Sequence, residues 1–225
     1  MVRSALGACG EIRPFYKAVK DDLILGQSVG FFKDLRIAGW SDIWEALVTT
    51  VLCQQINLAF AYGIRAKLAI AFGRRAGFGG EMHYAFPSPM SLARAGIDSL
   101  RRLQISQAKA ETILRLAKAF AVGELSHKEI ERLNDNEVVN RLTSVKGIGR
   151  WTAETALLRG LGRLDAFPAG DLGVVKYLAQ GLLRWCEKAS EQEMRDYAER
   201  WRPYRGLTLI YAYAELARRK ASASG

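Results

Sequence analysis

Helix start and stop signals recur along nearly the whole chain, whereas the period-two alternation of β-branched residues that marks strands is almost absent. A chain punctuated in this way is confined to an all-α fold. Asp42 with Glu45 outlines a capping box, after which Trp44, Leu47, Val48, Val51 and Leu52 form one apolar stripe. Asn57 predicts the next cap, for a helix ending near Gly73, and Gly77 to Gly80 reads as a loop. Ser88-Pro89 gives a cap followed by a first-turn proline, with Gly96 as the stop. Asp98, Ser106, Ser126 and Asp135 open further helices, Ser190 with Glu193 makes a second capping box, and Pro203 opens a last helix carrying Leu207, Ile210, Tyr211 and Ala214. About ten helices are expected, with no repeats and only a small Ala/Ser tail at Ala221 to Gly225.

Composition narrows the partner. The 225 residues are 49% hydrophobic, enough for one substantial core or two small helical lobes. Lysine and arginine total 33 against 23 acidic residues, and a balance of +10 favours a polyanion, with nucleic acid the leading candidate. No apolar run approaches the roughly 18 to 20 residues of a membrane span and the N-terminus lacks the apolar core of a signal peptide, so a cytoplasmic protein is expected. Cys9, Cys53 and Cys186 are far apart, with no spacing suited to zinc or an iron-sulfur cluster, and are expected as reduced thiols. His83 and His127 sit in no ligand-like pattern and are read as surface or loop residues.

The informative stretch runs from Leu142 to Leu158. One helix ends near Leu142 and another starts near Arg150, joined by a tight turn in which Gly147 and Gly149 flank Ile148. Glycine at both places permits positive φ and close backbone approach, and the turn's amides at a helix start suit a DNA phosphate. Lys146 and Arg150 add charge without base preference. A bare Gly-x-Gly is more often only a helix corner. What shifts the balance is the full hairpin in a basic chain, followed by Asp171 in Phe167-Pro-Ala-Gly-Asp-Leu-Gly-Val-Val175. Asp171 reads most simply as the N-cap of an apolar helix from Leu172 to Leu183, a position where the dipole also holds a carboxylate ionised, as an oxocarbenium-like sugar requires beside it.

These residues resemble the helix-hairpin-helix (HhH-GPD) DNA glycosylases, and among them the 3-methyladenine DNA glycosylase II group. The resemblance covers roughly Asp42 to Leu216. It rests on Val145-Lys-Gly-Ile-Gly-Arg-Trp-Thr-Ala153, the Phe-Pro-x-x-Asp run ending at Asp171, Tyr197-Ala-Glu-Arg-Trp-Arg-Pro-Tyr-Arg205 and Leu52-Cys-Gln-Gln-Ile56, in the family's order.

The resemblance implies two helical lobes with the active site in the cleft between them. Residues 1–41 would form a segment packing with the C-terminal lobe, 42–162 the lobe holding the hairpin (142–158), and 163–225 the lobe carrying the catalytic aspartate. Only about 40 residues precede the matched region, so the family's N-terminal β-rich domain is expected to be absent or a short stub. Asp171 takes the catalytic position. Strand-cutting relatives place a Schiff-base lysine where this chain has Trp151, which implies a monofunctional enzyme, with Trp151 either a pocket wall or a core residue. The base-stacking aromatic maps onto Tyr213, with Trp40 as a second pocket candidate, and an electron-rich ring suits cationic 3-methyladenine or 7-methylguanine. For Tyr211 and Tyr213, plain core packing is the alternative.

Gln55, preceded by Gln54, maps onto the wedge that fills the gap left by the flipped base. Thr152 joins Lys146, Gly147, Gly149 and Arg150 as an expected DNA contact. The carbonyls of Thr143, Val145 and Gly147 map onto a structural Na+ or K+ site, and no catalytic cofactor or iron-sulfur cluster is implied. Thr155 stands where a pocket tyrosine falls, and Gly170 where an acidic residue often precedes the aspartate. The expected partner is damaged duplex DNA bound by a monomer, cytoplasmic and associated with the nucleoid. Two alternatives stay open: a glycosylase for uracil, hypoxanthine or oxidised guanine, and a non-catalytic DNA-binding module, against which Asp171 speaks.

Overall fold

The computed structural model describes residues 12–22, 24–184 and 189–223. In chain order the helices are α1 (Arg13–Val19), α2 (Leu25–Phe31), α3 (Ile43–Cys53), α4 (Leu58–Phe72), α5 (Pro89–Ala93), α6 (Ile97–Arg102), α7 (Gln107–Ala121), α8 (His127–Arg132), α9 (Asp135–Thr143), α10 (Arg150–Gly160), α11 (Glu191–Ala198) and α12 (Arg205–Ala223). Strands β1 (Arg75–Phe78) and β2 (Glu81–Tyr84) follow α4, and a π-helical segment, Val174–Leu182, precedes α11. The chain forms two compact units, Asp42–Ala156 and the combination of Met1–Ser41 with Leu157–Gly225. None of the described helices is long and apolar enough to cross a membrane.

The all-α expectation holds apart from one small hairpin. Gly77 to Gly80, read as a loop, is the centre of an antiparallel pair in which Phe78 faces Glu81. Gly79 and Gly80 have φ of 61° and 81°, the left-handed pair that a two-residue hairpin turn demands. All eight strand residues are exposed.

Within Asp42–Ala156, α3 is the central element. Asp42 caps it by accepting from Glu45 N (2.8 Å), while the Glu45 carboxylate turns inward and pairs with Arg65. The expected stripe is buried, but so is every residue from Ile43 to Leu52, so α3 is a core helix and not a one-faced surface helix. Trp44 donates its indole N–H to Pro87 O (2.8 Å) and packs against Phe120. On α4, capped by Asn57, only the stripe Ala61, Ile64, Leu68 and Ala69 is buried. Gly96, expected to stop the helix opened by Ser88, instead begins α6, and α5 ends at Ala93. Cys53 forms no disulfide among the described residues, and Cys9 and Cys186 lie outside them. His83 is exposed on β2 and His127 opens α8.

In the other unit, α12 buries Leu207, Thr208, Tyr211, Ala212 and Glu215 along one face. Tyr211 is the core member of the tyrosine pair: it is fully buried, lies 4.9 Å from Phe15 between ring centroids, and donates to Leu35 O (3.3 Å). The Ser190 and Glu193 capping box forms as expected. Pro203 does not open the last helix. Asp165 accepts the Arg205 amide (3.3 Å) and grips its guanidinium at 3.0 and 2.8 Å, so this carboxylate, 40 residues earlier, sets the start at Arg205. The helix expected after Asp171 winds as a π-helix, with Leu183 N–H bonding Leu178 O, and its buried residues, Val174, Leu178, Ala179 and Leu182, follow that wider turn.

Glu215 is 1% exposed and accepts from Arg218 Nε (2.9 Å) and Nη2 (2.8 Å) and from Arg219 Nε (2.7 Å). The Arg218 hydrogen bond, with Arg219 behind it, holds its pKa down to about 2. The folded state therefore favours the carboxylate, and this contribution to stability is complete above the ordinary pKa of 4.5 and is lost as pH falls toward 2. Thermal melts of wild type and Glu215→Gln across that range should converge as the pH drops; a gap independent of pH would contradict the ion-pair account.

Candidate functional site

Asn134 and Glu137 form a reciprocal capping box at the start of α9, which ends at Thr143. Val145 N–H then donates to Leu142 O (3.1 Å) and Ile148 N–H to Val145 O (3.0 Å), closing the turn over the buried Ile148. The first α10 bond runs from Ala153 N–H to Gly149 O (3.1 Å). The amides ahead of it have no partner within the helix and sit at the positive end of its dipole, an anion seat by construction. Lys146, Gly147, Gly149 and Arg150 are all exposed around it. Arg150 is held along the helix by the buried Glu154 (2.9 Å).

The two glycines differ. Gly147 has φ +99°, and a Cβ built on it would run into Thr112 of α7, with the Thr112 Cβ and Cγ2 at 2.9 Å. Gly149 is not left-handed and a Cβ there meets nothing within 4 Å. Positive φ, expected at both, is thus needed only at Gly147. Nothing among the described residues accounts for the bare backbone at Gly149.

Gln54, at the C-terminus of α3, donates to Gly147 O (3.3 Å) and to Thr152 Oγ1 (3.1 Å). Thr152 is 1% exposed, so Gln54 and Thr152 face each other and brace the hairpin from behind. Lys109 Nζ donates to Leu52 O (2.8 Å), placing a cation at the negative end of α3, and burial pushes its pKa down. Beyond this braced end Gln55 projects, exposed, with φ +52°. It borders a cleft of about 200 Å³ with Leu52, Phe60, Ile64 and Ile105. The brace was not legible beforehand, because it joins residues 93 and 98 positions apart.

The carbonyls of Val145 and Gly147 each accept one hydrogen bond and keep a second lone pair. Together with Thr143 O, all are neutral carbonyl oxygens, a donor set suited to a singly charged hard cation. Among the described residues no group of His, Cys, Asp and Glu is arranged to hold a metal ion.

In the second unit, Phe167, Pro168 and Ala169 are buried, and Arg195 holds Phe167 O (3.3 Å). The chain then turns, with Asp171 N–H on Pro168 O (2.9 Å), and Asp171 emerges half-buried at the head of the helical run. Its Oδ1 accepts from Gly173 N–H (2.7 Å) and from the Tyr213 hydroxyl (3.3 Å). The expected cap and the expected aromatic therefore meet at one oxygen. Leu172, which sequence reasoning passed over, is 75% exposed beside Asp171; an apolar residue between a carboxylate and a glycine was the available signal. Trp40 is half-buried in this unit, its backbone N–H donating to Arg159 O (2.7 Å). Trp151 is half-buried on the first turn of α10, within Asp42–Ala156.

Comparison with known proteins follows the same lines. The profile of the HhH-GPD superfamily base excision DNA repair protein matches residues 48–203. A DNA-3-methyladenine glycosylase of Bacillus subtilis (strain 168) is 32% identical over 206 residues, which is 92% of this chain and 68% of that protein. DNA-3-methyladenine glycosylase 2 of Escherichia coli (strain K12) is 29% identical over 216 residues, 95% of this chain and 65% of that one. The chain thus spans about two thirds of the length of these relatives. The solved structure of 3-methyladenine DNA-glycosylase from Archaeoglobus fulgidus superposes with a TM-score of 0.83 at 29% identity, covering 96% of this chain and 74% of that one.

The glycine pair yields a test in stability alone. Gly147→Ala should lower the melting temperature by several degrees, the effect of about 1–3 kcal/mol of strain and overpacking, whereas Gly149→Ala should melt within about a degree of wild type. Equal melting temperatures for the two variants would contradict the close approach to Thr112.

Proposed function

The chain belongs to the HhH-GPD superfamily of base excision DNA repair proteins, and from that membership we propose that it is a monofunctional glycosylase that flips an alkylated purine from duplex DNA and hydrolyses its N-glycosidic bond. The observation that carries this reading is the meeting of Asp171 with Tyr213: a carboxylate fixed at a helical start with an aromatic ring in contact. The names of the Bacillus subtilis and Escherichia coli relatives support alkylated bases as the substrate class.

The hairpin supplies grip. Lys146, Arg150 and the amides around Gly147 and Gly149 take a backbone phosphate, which orients the duplex without reading sequence. A Na+ or K+ on the carbonyls of Thr143, Val145 and Gly147 would add positive charge there. Gln54 and Thr152 serve by bracing the turn. Gln55, projecting from a fixed helix end, fills the gap left by the extruded nucleotide.

Asp171 supplies the chemistry. As the bond between C1′ and the base nitrogen stretches, its electron pair leaves with the base, and positive charge grows on the sugar, offset by the carboxylate. A base already made cationic by alkylation departs neutral. Water then adds its oxygen to C1′ and passes a proton to Asp171, leaving an abasic site. The ring of Tyr213 favours a cationic purine by cation–π attraction, with Trp40 as a further candidate wall. An indole at position 151 can form no Schiff base, so strand cleavage has no nucleophile there.

On a duplex carrying 7-methylguanine the wild type should release free base and leave the strand intact until alkali is added, with no adduct trapped by borohydride. Asp171→Asn should abolish release while duplex affinity stays within about threefold, since shape and cap are kept. Wild-type turnover by Asp171→Asn would remove the assignment, and a trapped adduct lost in Lys146→Ala would show a lyase instead.

A further inference from the structure

Oδ1 of Asp171 receives two donors, Gly173 N–H at 2.7 Å and Tyr213 OH at 3.3 Å. The second reaches it only because residue 173 has no side chain. A Cβ there would lie 2.5 Å from the Tyr213 hydroxyl, 2.8 Å from Asp171 Oδ1 and 2.9 Å from Tyr213 Cζ. The Gly173 backbone is ordinary right-handed helix, φ −66° and ψ −34°, which any residue adopts. Backbone freedom therefore gives no reason for glycine at this position. The space between hydroxyl and carboxylate does.

The hydroxyl is also delivered from a fixed support. Tyr213 lies between two buried anchors on α12: Tyr211, packed on Phe15, and Glu215, held by Arg218 and Arg219. At 3.3 Å the bond is longer than the usual O–H···O distance of about 2.7–2.8 Å, as befits catalytic groups that tighten once substrate is seated.

We propose that Tyr213 is a positioning residue whose hydroxyl orients the Asp171 carboxylate, and that Gly173 is the gap that admits it. The inference rests on the reading of Asp171 as the group acting on the sugar, and divides Tyr213 into two tasks. Its ring faces the base, while its hydroxyl fixes one carboxylate oxygen and so sets the direction of the other. A charge-assisted bond made before the reaction spares the transition state the work of ordering that anion.

Tyr213→Phe keeps the ring and deletes the hydroxyl. In single-turnover base release from a 7-methylguanine duplex, it should leave the half-saturating enzyme concentration within about twofold of wild type and lower the maximal rate about five- to thirty-fold. Gly173→Ala should lower the maximal rate at least as much, because its Cβ displaces the hydroxyl and also crowds Asp171 Oδ1. Melting temperatures show whether Gly173→Ala folds, and Tyr213→Phe carries the test if it does not. An unchanged maximal rate in Tyr213→Phe or a loss confined to half-saturation would overturn the proposal. Asp171→Asn in the same series separates the two levels. If it is inactive while Tyr213→Phe is unaffected, the carboxylate reading stands and the tyrosine's role falls; if it retains the wild-type rate, both fall.

Discussion

The backbone at Gly147 lies directly against Thr112 of α7, and the placement of the hairpin follows from that contact. A turn carried this close cannot drift, so its carbonyl stays within reach of Gln54 and the first turn of α10 stays beside it. Gln54 closes the circuit by bonding both the turn and Thr152. The end of α3 is thereby tied to the hairpin, with Lys109 holding the Leu52 carbonyl near that end. Gln55 projects from a point fixed three times over. A residue that must intrude into a base stack needs such support, since a yielding tip would itself be displaced.

Close approach through a missing side chain recurs at Gly173, for a different end. At Gly147 it brings backbone against a helix, and the left-handed conformation excludes other residues independently. At Gly173 the conformation excludes nothing, and the space serves a hydroxyl and a carboxylate. Gly149 is a third case, open to solvent with ordinary geometry, where the missing side chain leaves room for something outside the protein.

The caps were legible because they are local. Asp42, Asn57, Ser88, Ser126 and Ser190 each accept an amide two or three residues ahead, so a short stretch holds the whole signal. Resemblance to the family brought Asp171 and Tyr213 forward as separate candidates, and they meet at one oxygen. What escaped depends on distant partners. The start of α12 is set by Asp165 rather than by Pro203, and Thr152 faces Gln54 because of a packing 98 residues long in sequence. The β1–β2 hairpin escaped for another reason: its residues are all exposed, so no buried face imposes the alternation by which strands are recognised. The π winding after Asp171 escaped because apolar residues every four or five positions also satisfy an α-helical reading.

A glycosylase and a protein that merely holds DNA would share the hairpin and its brace; only one of them needs a carboxylate fixed beside an aromatic ring. The most direct measurement is the identity of the free base released when the chain is incubated with duplexes bearing single 3-methyladenine, 7-methylguanine, uracil, hypoxanthine or 8-oxoguanine lesions. The two alkylpurines should be released well ahead of the other three. Duplex binding without release of any base, or release confined to uracil, hypoxanthine or 8-oxoguanine, would contradict this.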